Sequence, residues 1–215
     1  MEIELILETR ADALRDWLER GHWPQGLSGF TSQQLVTTYW DTPALDLFHA
    51  GWALRVREQD GVYRQDLKAT TPSTAGLATR EEHGWPLAGA TPDLSRLHTF
   101  PHLAALLARV EKQLVPLMTT DIQRHTARWV HAHGELELAA DLGEIVVRDQ
   151  GLPVAEVELE LLTGPRRGLF RAASQLTDAL PLFPAPLSKA ERGFRCWHPG
   201  PIKPADLTPP AANGD

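Results

Sequence analysis

The chain has little that would tie it together covalently: Cys196 is the only cysteine among 215 residues. A disulfide framework and a cysteine-based zinc site are therefore both excluded within one chain, and a reducing, cytoplasmic setting is the simplest fit. No apolar run reaches the length of a transmembrane helix. The N-terminus also lacks the basic stretch and apolar segment of a signal peptide. Positive charge is in the minority, with 21 Lys and Arg against 28 Asp and Glu and a formal net charge of −7. A surface that coats nucleic acid needs the opposite balance, so the expectation is no nucleic-acid partner and no membrane partner. No Walker-type loop is present, so any phosphate binding must rely on side chains and not on a glycine cradle.

What is present is a pattern of charge. The 215 residues, 42% hydrophobic and 23% charged, suffice for a core without disulfides. Glu2-Ile3-Glu4-Leu5 opens the chain, Leu54-Arg55-Val56-Arg57 follows, and Glu156-Val157-Glu158-Leu159-Glu160-Leu161 comes later. Successive side chains of a strand point to opposite faces. Each segment thus has an apolar face and a charged face, and the charged faces carry both signs. Paired carboxylates suit a hard divalent cation, and rows of Arg and Lys suit phosphate oxygens. Taken singly, each strand is more simply a solvated face of an antiparallel sheet; several in order make the case.

The remaining pattern reads as strands with a few helices. Strands are expected at 2–8, 33–40, 52–58, 62–69, 78–87 and 154–162, with one long or bent strand over 117–132. Two further strands, 135–141 and 145–149, continue the meander. Asp60-Gly61 marks a hairpin turn. Helices are expected over 11–20, 44–49, 102–112 and 166–180, with a short helical turn at 188–193. Trp17, Trp40, Trp52 and Trp129 fall where packing needs them. His131 and His133 sit in a turn without a third ligand, and Cys196 has no activating constellation. Many strands with few helices favour an antiparallel barrel or sandwich with helices outside. The domain spans 1–197, and 198–215 is a Pro/Ala-rich tail or linker.

Six motifs in order, Glu2-Ile3-Glu4, Tyr39-Trp40-Asp41-Thr42-Pro43, Leu54-Arg55-Val56-Arg57, Leu67-Lys68, Glu156-Val157-Glu158 and Ser188-Lys189-Ala190-Glu191-Arg192-Gly193, resemble the CYTH domain family. These are the triphosphate tunnel metalloenzymes, and the likeness is greatest to the bacterial inorganic triphosphatases. The resemblance covers about residues 1–197 and implies a mainly β (α+β) fold. That fold is an eight-stranded antiparallel β-barrel tunnel with helices packed outside. It implies an enzyme that hydrolyses tripolyphosphate or another triphosphate with Mg2+ or Mn2+.

Carried over by motif, Glu2, Glu4 and Glu158 are the implied metal ligands. Asp141 and Glu156 are placed near a second metal or the attacking water. Arg55, Arg57, Lys68, Arg80, Arg124 and Lys189 are implied phosphate contacts, with Arg192 and Glu82 as further members of the lining. Glu8 and Glu160 are read as rim residues outside the site. Two departures stand out: Ile6 replaces the lysine that ends the family's Glu-x-Glu-x-Lys motif, and Gly84 interrupts the alternation after Arg80 and Glu82. Ile6 motivates a second reading, a catalytically weakened polyphosphate- or triphosphate-binding module. Adenylyl cyclase chemistry on the same barrel is a third reading, with no feature that selects an adenine base. The resemblance also allows an adjacent CHAD domain beyond the tail.

Overall fold

A computed structural model describes residues 2–70 and 74–198; the tail expected from 198 onward lies outside the described residues apart from His198. The strands are β1 (Glu2–Glu8), β2 (Thr31–Asp41), β3 (Trp52–Gln59), β4 (Val62–Ala69), β5 (Leu77–Arg80), β6 (Glu82–Leu87), β7 (Val115–His131), β8 (Gly134–Val147), β9 (Gln150–Thr163) and the two-residue β10 (Phe183–Pro184). The helices are α1 (Ala11–Arg20), α2 (Asp46–His49), α3 (Pro101–Val110), α4 (Arg167–Leu176) and α5 (Lys189–Trp197).

All strand pairs are antiparallel, in the order β10-β1-β9-β8-β7-β2-β3-β4-β6, with β5 also bonded to β1. The 77–87 segment closes the sheet. Expected as one strand, it breaks at Glu81, so that β5 pairs with β1 while β6 pairs with β4. Counting β5 and β6 as one stave, and leaving aside the two-residue β10, gives the expected eight-stranded barrel. Short turns connect neighbours: Asp60 and Gly61 both take positive φ, 51° and 78°, as a two-residue hairpin turn with right-handed twist requires.

The apolar faces point outward under helices. Leu14 and Trp17 of α1, with Leu169, Ala172 and Leu176 of α4, pack on Leu5, Leu7, Trp129, Leu138, Val157 and Leu159. Leu103 and Leu107 of α3 cover Trp52, Leu54, Leu67 and Trp85. At one end Phe194 of α5 packs against Phe48 and Tyr39, ring centroids 4.6 and 6.1 Å away. Trp40 is half-buried against the α3 side.

Three expectations are corrected. The two strands expected at 135–141 and 145–149 are one, β8, running through Gly143. A Cβ there would overlap the Asp121 carbonyl of β7, so the glycine permits close strand approach instead of marking a turn. The helix expected to 180 ends at Leu176, where Thr177 Oγ1 donates to the Ser174 carbonyl at 2.7 Å and competes with the helical ladder. The short turn at 188–193 is the nine-residue helix α5, started by a capping box in which Ser188 and Glu191 satisfy each other's backbone N–H.

Candidate active site

The inward faces of the staves hold the charges, around a cavity of about 320 Å³. Of the residues expected in the site, Glu2, Glu4, Arg55, Arg57, Lys68, Arg80, Arg124, Asp141, Glu158 and Lys189 all line it, and so do Glu82 and Ile6. Glu156 and Arg192 lie outside the lining. Glu156 is fully buried, its carboxylate taken by Lys189 at 2.5 Å and Arg192 at 2.7 Å. Arg192 also reaches the Pro153 carbonyl.

Lys189 stands at the start of α5, where the capping box and the Phe194 packing fix the helix. Its ammonium meets Asp141 at 2.9 Å and Glu158 at 2.7 Å as well as Glu156. Arg124 of β7, the cross-strand neighbour of Asp141 in β8, takes both oxygens of that carboxylate at 2.7 and 2.6 Å and Glu158 at 2.6 Å. Burial works against ionised carboxylates, yet Lys189 and Arg124 hold Asp141 below, and Glu158 well below, the usual carboxylate range. At Glu156 burial wins and the pKa rises.

A second knot lies at β1, β4 and β6. Lys68 Nζ is 2.6 Å from Glu2, 3.4 Å from Glu4 and 3.3 Å from Glu82. Arg80 pairs with Glu4 at 3.0 Å. Arg55 joins Asp66 at 3.2 Å and Glu82 at 3.1 Å. Burial raises Glu2 to about 7 against the pull of Lys68, with Glu4 adding repulsion. Its neighbour Glu82 falls to about 2, since Arg55 and Lys68 outweigh burial.

Arg57 is different. Among the described residues it has no carboxylate at ion-pair distance, and its Nε donates only to Thr37 Oγ1 at 3.4 Å. Repulsion from Arg55, then burial and Arg124, lower its pKa to about 10.

Sequence reasoning missed Arg64, Asp66, Glu137 and Glu160. Arg64, Glu137 and Glu160 line the cavity, and Asp66 is buried between two arginines. Glu160 was assigned to the rim, although its spacing from Glu158 already put it on the same face. Glu8 is off the lining, 4.0 Å from Arg192. Arg64 and Asp66 likewise share the face of Lys68, a period-two signal. His131 and His133 meet edge-on, ring centroids 6.0 Å apart, and neither lines the lumen cavity.

The donor chemistry fits a hard divalent cation. Glu4 and Glu137 flank Glu160 in the sheet register. Glu160 is raised by burial and by repulsion from Glu137 and Glu4. Oε2 of Glu2 is buried without a hydrogen bond of good geometry, despite the nearby Lys68. Crowded carboxylate oxygens of this kind are relieved by positive charge. Among the described residues no three acidic or imidazole groups stand together as a cage, and Lys68, Arg80, Arg124 and Lys189 are paired with the carboxylates.

Comparison with known proteins agrees with this geometry. The CYTH domain family model matches residues 2–194. An inorganic triphosphatase of Haemophilus influenzae is 29% identical over 180 residues, covering 80% of this chain and 49% of the relative. The chain thus spans about half the length of the curated relative it matches. Among solved structures, a Hippeastrum protein named as a candidate adenylyl cyclase, and described as having a dominant triphosphatase activity, aligns with TM-score 0.60 at 22% identity. That alignment covers 96% of this chain and 99% of that one. A candidate adenylate cyclase from Bacillus halodurans aligns with TM-score 0.55 at 19% identity, over 87% and 94% of the two chains. At these identities the structures speak for the fold, while the family model spans nearly all of the barrel: the chain belongs to the CYTH domain family.

Proposed function

We propose that the barrel lumen hydrolyses inorganic triphosphate (tripolyphosphate) or a related triphosphate with the help of Mg2+ or Mn2+. The observation that carries this reading is Arg57, a cation without a carboxylate partner facing a lumen in which the neighbouring cations are paired. Such a group is prepared for an incoming anion, and its planar fork matches phosphate oxygens. The triphosphatase names of the Haemophilus and Hippeastrum proteins support the same substrate class.

In this reading Arg55, Arg57, Lys68, Arg80, Arg124 and Lys189 exchange carboxylate partners for phosphate oxygens. Phosphoryl transfer needs mainly alignment and charge neutralisation, and ordered cations on several staves supply both. The exchange frees Glu2, Glu4 and Glu158, which would hold the divalent cation, with Glu160 beside them. A cation bound there supplies Lewis-acid neutralisation of phosphate charge and makes water more acidic. Asp141 faces the lumen between Arg124 and Lys189, where it would help to place a second cation or the attacking water. Glu156 acts from behind by fixing Lys189, and Arg192 braces Glu156 in turn. The reading includes a cytoplasmic enzyme with an adjoining CHAD domain.

The test is phosphate release from tripolyphosphate with and without Mg2+ or Mn2+, with Glu4→Ala as control. Metal-dependent release lost in a folded Glu4→Ala supports the reading; undiminished release in that variant overturns the metal assignment. A second reading, chain binding with little turnover, is favoured by Ile6, which lines the lumen opposite Glu158 where the family has lysine. Tight tripolyphosphate binding without release would select it.

A further inference from the structure

Resting on the phosphate-chain reading, we propose that Arg64 adds a phosphate contact on the solvent side of the lumen, outward of the Arg57 that meets the triphosphate, so that the tunnel grips linear polyphosphates longer than triphosphate. Arg57 and Arg64 are direct cross-strand partners of β3 and β4. Like charges directly opposite in an antiparallel pair repel, and the Arg64 guanidinium lies over Gly84 of β6 with its Nε on Asp66. Asp66 answers only part of the charge. One of its oxygens takes Arg64 Nε at 2.8 Å and the other takes Arg55 Nε at 3.2 Å, leaving Arg57 with none. Among the described residues Asp66 is also the one carboxylate partner of Arg64, so the terminal nitrogens of both arginines are available.

Gly84 makes this arrangement possible. It lies opposite Asp66 in the β4–β6 register, and its φ is outside the left-handed region, so the backbone does not demand glycine. A Cβ would nevertheless meet the far end of Arg64 and stand 2.5 Å from Asp66 Oδ1, so Arg64 would have to leave its place over Gly84. The interruption of the charged alternation at Gly84 is therefore a seat for a cation from the next strand. That cation adds positive charge to a lumen that has Ile6 in place of a lysine.

Depth decides which part of a chain Arg64 would hold. The Arg64 side chain is 54% exposed, against 13% for Arg55, 15% for Lys68, 18% for Arg124 and 11% for Lys189. The deeper cations surround the space for a triphosphate. Arg64 stands outward of them, where a further phosphate of a longer chain would emerge.

The experiment is equilibrium binding of tripolyphosphate and tetrapolyphosphate, without metal, to the wild type, Arg64→Ala, Arg64→Lys, Gly84→Ala and the Arg64→Ala/Gly84→Ala double variant. Loss of one charge-assisted contact corresponds to about tenfold in affinity. The expected result is tighter wild-type binding of tetrapolyphosphate. Arg64→Ala and Gly84→Ala each lose about that factor for tetrapolyphosphate and far less for tripolyphosphate. Arg64→Lys keeps part of the affinity, and the double variant is no weaker than Arg64→Ala. A wild type that binds both ligands equally, or losses equal for both, overturns the subsite while leaving the triphosphate reading standing. A wild type that binds neither overturns both. Gly84→Ala retains every charge, so it carries the test even if Arg64→Ala fails to fold.

Discussion

Lys189, the first residue of α5, reaches into the barrel and sits 2.7 Å from Glu158 of β9. One ammonium thereby joins the helix that packs at the barrel end to the staves that carry the lumen charges. Asp141 and Glu156 share it, so three carboxylates depend on it together with Arg124 and Arg192.

Lys189→Ala is expected to destabilise the fold by ~3–5 kcal/mol, because removing one partner of a buried ion pair leaves uncompensated charge. Burial already opposes ionisation of Asp141, Glu156 and Glu158, so at least one takes up a proton in the variant. Denaturant unfolding checks the first expectation, and a smaller loss at acid pH than at neutral pH checks the second. Tripolyphosphate affinity should fall as well.

Gly193→Ala tests how closely α5 approaches the barrel. The added Cβ would overlap Met118 Sδ and lie 3.0 Å from its Cε and 3.1 Å from Ile145 Cγ2. The expected cost is ~1–3 kcal/mol of overpacking, read by thermal unfolding. If the helix shifts to relieve it, Lys189 moves too, and phosphate binding weakens beyond what stability alone explains.

Ile6→Lys should raise tripolyphosphate affinity. Ile6 lines the lumen opposite Glu158 in the β1–β9 register, so an ammonium at this position faces the same phosphates as Lys189 and Arg124. An increase of about tenfold corresponds to one added charge-assisted contact. Calorimetric titration measures it, and the release rate shows whether the missing lysine limits turnover. Unchanged affinity would mean that the existing cations already saturate the chain.

Asp41 gives a pH test outside the lumen. Its buried carboxylate accepts N–H bonds from Thr42, Leu47 and Phe48 at 2.7, 2.9 and 2.9 Å and holds α2 beneath Phe194. Burial nevertheless raises its pKa from 3.8 to about 6. Between those values the folded state holds a proton that the unfolded chain has released, so this group's contribution falls as pH rises through that window. The shift corresponds to ~3 kcal/mol. Asp41→Asn cannot titrate, so the stability of the wild type relative to it should fall from pH 4 to pH 6. A parallel pH course in the two proteins would contradict the shift.

The sequence was legible wherever period two met a turn signal. The β3–β4 hairpin with its Asp60-Gly61 turn, the Glu-Ile-Glu strand and β9 lie where alternation put them, because side-chain direction in a strand depends only on position along it. Two glycines show the limit of local pattern: at Gly143 the Asp121 carbonyl of β7, and at Gly84 the Arg64 side chain of β4, takes the space a Cβ would fill. No local pattern reveals that requirement, since the approaching atoms come from other strands. Period two puts Arg64 on the face of Lys68 and Glu160 on that of Glu158, but which residues of a face line the lumen and which stand at its rim is set only once the barrel has closed.

The chain's own order of residues determined which side chains share a face, where the hairpins turn and which helix face is apolar, since those depend on backbone periods and on neighbours a few positions away. It also carried the motifs that mark the family. Tertiary structure alone decided partnership. That Lys189 serves three carboxylates, that Arg57 has none, and that Arg64 lies over Gly84 follow from closure of the sheet through β5 and β6 and from the seating of α5. These pairings join residues far apart in the chain, and charge interactions depend on distance in space, which only the closed barrel sets.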